Sequence, residues 1–340
     1  MEMETHTIEP VVNTLEKVGS FLPISNTNYN RDFIETNPFI EANTETVSLS
    51  YLENGCIIPV FSKDNEITIS HHEFINSSFS GLREMFPNEV LDAPEIRVSH
   101  QIKGRTPDAL QIPAKELEEH QKTIYYERMA FIIRIPSITR EINGNTLSLV
   151  AGGVRSYNLE NLYSTKKLES FQFFIGFQNM VCCNLCINTD GFKSDIKASS
   201  IMELQHKISE VVQNYNIDQQ IKELSLLTEQ TISEKQFAQL IGKSRLYNYL
   251  PKEEKRELPE LLLNDSHISA IVKEYYNDKN FSRNFDGTIS LWRLYNLITG
   301  SNKASYVDTF LERGVNAFDF SKGVSKALSD GNSNYAWFLS

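Results

Sequence analysis

The sequence predicts an α+β protein with an antiparallel or mixed sheet in its N-terminal half and helices in its C-terminal half. Three observations support this fold class. Several segments between residues 47 and 188 alternate apolar and polar residues, and turn signals such as Asn143-Gly144 separate them. After about Ser199 the apolar period changes from 2 to 3.6 residues. Successive hairpins also argue against a doubly wound parallel sheet, in which helices connect the strands.

The strand-rich half contains segments enriched in aromatic and β-branched residues. Short strands are predicted at residues 47–51, 57–61 and 66–70, followed by a helix at 72–86. Longer strands are predicted at residues 95–102, 123–138, 146–154, 171–177 and 180–188.

The helical half begins with Ile201, Leu204, Ile208, Val211 and Tyr215, which share one helical face. Further helices are predicted at residues 233–241, 265–276, 290–299 and 305–318. Gly242 and Gly300 are the expected C-terminal stops of two of them. We expect no internal repeat.

This organisation divides the chain into four parts. They are a mobile acidic arm at residues 1–45, a strand-rich α+β domain at 46–199, a helical domain at 200–320 and a C-terminal tail at 321–340. Because no low-complexity linker separates the two halves, we expect them to pack against each other.

The charge of the chain is concentrated near its N-terminus. The formal net charge is −11, and residues 1–120 carry 20 acidic and 8 basic side chains, which give −12. Nucleic acid and anionic membranes repel an acidic surface, but this exclusion applies only to the first third. The remaining 220 residues are close to neutral and could carry a basic face.

Location and redox state are predicted from two further features. No apolar run reaches the roughly 18 residues that a bilayer requires, and the acidic N-terminus lacks the basic region of a signal peptide. The four cysteines, three of them between residues 182 and 186, are too few to frame a secreted fold of this size. We therefore expect a cytoplasmic protein with free thiols and no membrane association.

Cys183 and Cys186 form a C-x-x-C pair in an apolar, strand-like run. Zinc normally takes four ligands, and the chain has no second pair of cysteines. Buried structural thiols are the favoured interpretation, with metal or redox chemistry at Cys183 and Cys186 as the alternative. We expect no cofactor.

Basic and aromatic residues are interleaved in the predicted sheet, as in surfaces that bind single-stranded nucleic acid. Lys103, Arg105, Arg128 and Arg155 are the candidate phosphate contacts, and Tyr125 and Tyr126 are the candidate stacking residues. Alternation along a strand places the two tyrosines on opposite faces, so that one of them at most would stack. The alternative is that the aromatic residues belong to the core and the charges to solvated faces.

Arg155 also follows the glycine pair Gly152-Gly153, which could let backbone amides approach a phosphate. The simpler interpretation is a bulge or a tight turn at the end of a strand. No nucleophile elbow, P-loop or H-E-x-x-H motif is present in the sequence. Motifs therefore give an enzymatic function no support.

Several segments carry a family resemblance: residues 125–129, 152–158, 174–186 and 292–296, together with Phe237-Ala238 and residues 305–308. They resemble an uncharacterised domain-of-unknown-function family of conjugative and phage-like elements in gut anaerobes. That family is distantly similar to the "phage/plasmid-like protein" family, in which a Cys-x-Asn strand precedes a helical half that ends in a Leu-Tyr-Asn helix. The resemblance implies a mobile-element setting and supplies no catalytic residues.

Three functions follow as hypotheses. The first is a non-enzymatic DNA-associated protein that binds or anneals single strands on the basic and aromatic sheet, as a homo-oligomer. The second is a protein-interaction module of defence or anti-defence, whose acidic N-terminal third engages a basic host or element-encoded protein. A metal-dependent nuclease ranks third.

Overall fold

The computed structural model of the 340-residue chain describes residues 38–56, 68–109, 111–157, 168–331 and 333–340. The described residues belong to one compact unit. Residues 1–37, most of the predicted acidic arm, lie outside the described residues. So do the predicted strand at 57–61 and the first two residues of the one at 66–70.

The N-terminal half forms a seven-stranded antiparallel sheet, so the predicted fold class is confirmed. Its strands are β1 Glu45–Thr46, β2 Glu95–Arg105, β3 Lys122–Ile142, β4 Asn145–Ser156, β5 Glu169–Asn179, β6 Leu185–Cys186 and β7 Phe192–Ala198. Strands β1 to β5 pair in sequence order, and both β6 and β7 pair with β5. The predicted turn joins β3 to β4, with Asn143 and Gly144 both at positive φ.

The described helices are α1 Leu49–Asn54, α2 His71–Met85, α3 Ile201–Asn214, α4 Ile217–Glu229, α5 Glu234–Tyr247, α6 Lys252–Arg256, α7 Asp265–Asn277, α8 Leu291–Asn302 and α9 Val307–Asp330. Two very short strands, β8 Thr231–Ile232 and β9 Ile289–Ser290, pair with each other within the helical half. In the described part of the chain, no helix is both long and apolar enough to cross a membrane.

Some element boundaries differ from the sequence prediction. The strand predicted at 47–51 is wrong, because Ser48 caps helix α1 through the amide of Tyr51. The strand predicted at 180–188 shrinks to β6, since a turn closes when the Cys183 amide donates to the Asn179 carbonyl at 2.7 Å. Strand β7 was not predicted, because its sequence is mostly polar.

The two predicted glycine stops are also wrong. Gly242 lies inside α5 and Gly300 lies inside α8, whose flanking apolar residues continue to pack. Helix α9 runs well beyond residue 318, and it ends where Gly331 adopts a left-handed φ of 66°. A 3₁₀ segment, Asn334–Leu339, then returns to the core and buries Phe338.

The sheet is covered on both faces. One face carries Met129, Phe131 and Phe173 and belongs to a large core shared with most of the helices. The other face carries Ala130, Ile132 and Val154 and packs against the first turns of α9. Strand-rich and helical residues therefore share one core, whereas the domain boundaries at 199/200 and 320/321 remain a prediction.

Candidate functional site

Arg155, a predicted phosphate contact, lies in the interior of the sheet. Its side chain donates to the Ile69 carbonyl and to the Glu169 carboxylate. Its guanidinium carbon also lies 4.5 Å from the ring centre of Tyr157 and 4.3 Å from that of Phe171. Because only 1% of Arg155 is exposed, a phosphate could reach it only if this arrangement opened. Its geometry matches a buried ion pair.

Lys103 and Arg105 lie near the outer end of strand β2. Lys103 is exposed and pairs in register with Ile124 of β3. Arg105 is half-buried, and its guanidinium donates to the Ile112 carbonyl, which holds the loop between β2 and β3. Of these two predicted contacts, Lys103 is the one whose geometry suits a phosphate on the surface.

The two candidate stacking tyrosines occupy different environments. Tyr126 is buried, and burial is the main cause that raises the pKa of its phenol above the ordinary value. Tyr125 is half-buried, with its ring edge-on to Tyr157 at 6.1 Å between centres. Neither ring presents a fully exposed face on which a base could stack.

Arg128 belongs to a polar cluster on the sheet face that packs against α9. Residues that are directly opposite on antiparallel strands share a face, and Arg128 lies opposite both Ser99 of β2 and Ser156 of β4. Gln172 of β5 lies opposite Val154, which is on the same face as Ser156. Gln172 therefore also lies on this face. Asp308 approaches from the first turn of α9. We call Ser99, Arg128, Ser156, Gln172 and Asp308 the Arg128 cluster.

The Arg128 cluster contains buried polar atoms with no hydrogen-bond partner among the described residues. They are Arg128 Nε, Ser156 Oγ, Gln172 Oε1 and Asp308 Oδ1. Ser156 is 6% exposed, and the side chains of Arg128 and Asp308 are 16% and 18% exposed. Leaving such a group unpaired costs about 1–3 kcal/mol, so four on one face indicate a site that binds water or a polar ligand.

The guanidinium of Arg128 lies too far from the neighbouring carboxylates to form hydrogen bonds with them. Arg128 lies 3.8 Å from Asp308 and 3.8 Å from Glu127, beyond the 2.7–3.2 Å range typical of N–H···O bonds. The carboxylate of Asp308 also offsets the partial positive charge at the N-terminus of α9, which has no side-chain cap. The cluster combines a cationic donor, hydroxyls and oxygen acceptors. This set of groups suits the binding of a polar ligand better than catalysis.

Two segments that carry the family resemblance meet in a buried asparagine network. The Asn179 and Asn184 amides donate to the side chain and the backbone carbonyl of Asn296, at 3.0 and 2.9 Å. Lys303 Nζ donates to the Cys182 carbonyl at 2.5 Å. These bonds join the end of the sheet to helix α8. All these polar atoms are paired, so the network is structural.

The cysteines of this region are held as neutral thiols. Burial raises the pKa of Cys186 to about 12 and that of Cys182 to about 11. Burial also raises the pKa of Cys183, which adopts a left-handed φ of 58° in the turn. Since the thiolate is both the nucleophile and the metal ligand, this geometry does not favour redox or metal chemistry at Cys183 and Cys186. All four cysteines of the chain are free.

His267 and Ser305 are 3.1 Å apart, an arrangement that sequence reading did not anticipate. His267 Nδ1 accepts from the amide of Asn264, so its Nε2 carries the proton and donates to Ser305. Ser305 in turn donates to Asn302 Oδ1 at 2.7 Å and accepts from Arg313 at 2.9 Å. A histidine that donates to the serine cannot activate it, so this pair is structural.

The histidine, cysteine and carboxylate side chains of the described residues form no group of three or more placed to hold a metal ion. By fold and site, the chain is an α+β protein whose antiparallel sheet and helices share one core, with a polar cluster on one sheet face.

The chain belongs to the family described as "Domain of unknown function, B. Theta Gene description (DUF3871)", which matches residues 28–339. No curated protein and no solved structure matches it. The expectation of an uncharacterised domain of unknown function is therefore confirmed.

Proposed function

We propose that the protein is a non-enzymatic, DNA-associated protein that binds single-stranded DNA through the Arg128 cluster and Lys103. The observation that carries the proposal is the buried Arg128 Nε, which has no hydrogen-bond partner among the described residues although two carboxylates lie nearby. A phosphate oxygen would satisfy this donor with a charge-assisted hydrogen bond.

The spacing of the two contacts supports a strand rather than a single small anion. Lys103 lies opposite Ile124, four residues from Arg128 along β3. At about 3.3 Å per residue, the two positions are roughly 13 Å apart along the strand, more than one phosphate group can span. Arg105, Tyr125, Tyr126 and Arg155 are engaged elsewhere and drop out of the proposed surface.

The test is fluorescence anisotropy with a labelled single-stranded oligonucleotide and its duplex at two salt concentrations. We expect tighter binding of the single strand that weakens steeply with salt. Arg128→Gln should lower the affinity several-fold and reduce the salt slope by about 0.7. Arg256→Gln, an exposed arginine of α6, is the matched control and should change neither. No binding of either DNA at low salt would refute the proposal.

A protein partner is the second candidate function. The connection between β2 and β3 exposes four carboxylates, Asp108, Glu116, Glu118 and Glu119. A basic host or element-encoded protein would complement this segment. A stoichiometric complex that survives nuclease treatment, and that is lost when the four residues become Asn or Gln, would favour this function over DNA binding.

The setting of the protein is also a proposal. The resemblance to families of conjugative and phage-like elements supports a mobile-element origin, and the free, high-pKa thiols fit a reducing cytoplasm. A homo-oligomer would extend the DNA-binding surface across several subunits. Mass measurement in solution, with and without the oligonucleotide, tests that state.

A further inference from the structure

The helical half contains an internal repeat that the sequence analysis missed. Thr-Ile-Ser occurs at residues 231–233 and again at 288–290, and each copy leads into a helix. The two copies pair as strands β8 and β9, with Ile232 opposite Ile289 and both fully buried. Ser233 caps α5 and Ser290 caps α8 in the same way, each through the amide three residues on.

This pairing joins two helix–loop–helix units, α4–β8–α5 and α7–β9–α8. Paired units of this kind hold calcium in EF-hand proteins, through a twelve-residue loop with ligands at positions 1, 3, 5, 7, 9 and 12 and glycine at position 6. The loop before α8 has the same spacing from Ser282 to Arg293. The residues at positions 1, 3, 5, 6, 7, 9 and 12 are Ser282, Asn284, Asp286, Gly287, Thr288, Ser290 and Arg293.

At its turn, the loop has the backbone conformation that this assignment of positions predicts. Gly287, at position 6, has a φ of 82°, where glycine is strongly favoured. Asp286 Oδ1 accepts from the amide and the hydroxyl of Thr288, at 3.0 and 2.7 Å. One difference precedes the loop, since α7 ends at Asn277 and a turn held by Asp278 leads into position 1.

Arg293 reverses the charge at position 12, where the calcium loop has a bidentate glutamate. Its guanidinium turns into the loop, where Nη1 donates to the Ser282 carbonyl at 3.1 Å and to Asn284 Oδ1 at 2.7 Å. A positive group thus lies against oxygen atoms of positions 1 and 3. Arg293 is half-buried, so these bonds are shielded in part from water.

We infer that the guanidinium of Arg293 takes the place of the divalent cation in this loop, so that the paired helix–loop–helix unit is built as a metal-independent unit. A tethered cation cannot dissociate, and the unit therefore does not switch with calcium as sensor loops do. The helix it fixes, α8, carries Asn296, which bonds the end of the sheet, and Trp292, which donates to Asn145 at 2.9 Å.

Thermal unfolding of the full chain with CaCl₂ or with EDTA tests this inference. The wild-type Tm should be the same in both. The variant Ser282→Asp/Arg293→Glu introduces acidic residues at positions 1 and 12, and its Tm should rise by about 2–6 °C with about 10 mM Ca²⁺. Calorimetric titration of the same variant should give a Kd on the order of 10⁻⁵–10⁻³ M. The matched control Ser282→Asp/Arg256→Glu should not respond to Ca²⁺.

Two results would overturn the inference: a wild-type Tm that rises with Ca²⁺, or a folded double variant that is indifferent to Ca²⁺. If the double variant does not fold under either condition, the Tm of the Arg293→Gln variant tests the inference instead. A lowered Tm that Ca²⁺ does not restore supports the guanidinium as the group that holds the loop, and an unchanged Tm contradicts it. DNA binding is not part of this test, so its outcome is independent of the proposed function.

Discussion

Replacing Glu169 with glutamine should destabilise the protein through Arg155. Glu169 accepts from the Arg155 guanidinium and, at 2.9 Å, from the amide of Ile69. Glutamine keeps the size of the side chain and an oxygen for Ile69, but it removes the negative charge. The guanidinium, whose side chain is fully buried, would then lose a charged hydrogen-bond acceptor in the core.

The structure sets the size of this effect. Removing one partner of a buried ion pair costs about 3–5 kcal/mol. We expect about 3 kcal/mol for Glu169→Gln, because the Ile69 carbonyl and the rings of Tyr157 and Phe171 still contact the guanidinium. Arg155→Met should cost less, about 1–3 kcal/mol, since the remaining carboxylate is 18% exposed and can reach water.

Urea unfolding monitored by circular dichroism measures both changes, provided that the slope m stays constant. The double variant Arg155→Met/Glu169→Gln should be more stable than the sum of the single costs predicts, because the two side chains contact each other and their effects are coupled. Glu253→Gln, which breaks an exposed pair with Arg256, is the control and should change nothing measurable. A Glu169→Gln variant as stable as the wild type would refute the claim that the ion pair between Arg155 and Glu169 stabilises the fold.

Two other predictions concern stability. Burial, reinforced by Arg155, lowers the pKa of His71 to about 3, and burial, reinforced by Arg313, lowers that of His267 to about 4. Below pH 6.5 the unfolded chain binds more protons at both sites, so stability should fall with pH from about 6.5 towards 4, by about 1.4 kcal/mol per pH unit for each histidine. His267→Gln should reduce this slope by about half in urea titrations between pH 7 and 5. Gly152→Ala should cost at least about 3 kcal/mol in the same assay, since a Cβ there would lie 2.0 Å from the Phe131 carbonyl oxygen.

Local signals predicted much of the fold. Asn143-Gly144 predicted the β3–β4 hairpin, because both residues tolerate the positive φ that a two-residue turn requires. The helix predicted from residue 233 begins there, because Ser233 caps α5 and forms a capping box with Gln236. The helix ends predicted at Gly242 and Gly300 were wrong, because packing along the rest of each helix outweighs the roughly 1 kcal/mol that an interior glycine costs.

The candidate site was predictable only in part. Arg128, a predicted phosphate contact, lies on a sheet face, and Asp308 and Ser156 lie in segments that carried the family resemblance. Their proximity depends on strand register and on the docking of α9, which are long-range features that local patterns do not encode. Local patterns did not show that Arg155 is buried, because burial depends on the position of β4 between two strands and on the cover of both sheet faces.

The central claim, that Arg128 binds the phosphates of a single strand, is tested most directly by paired charge changes in the Arg128 cluster. Anisotropy titrations at low salt should show weaker binding for Arg128→Gln and tighter binding for Asp308→Asn, because Asp308 lies 3.8 Å from the guanidinium and repels a phosphate. Opposite shifts in Kd are the result we predict. Unchanged Kd values for both folded variants would contradict the claim and leave the cluster as a structural feature.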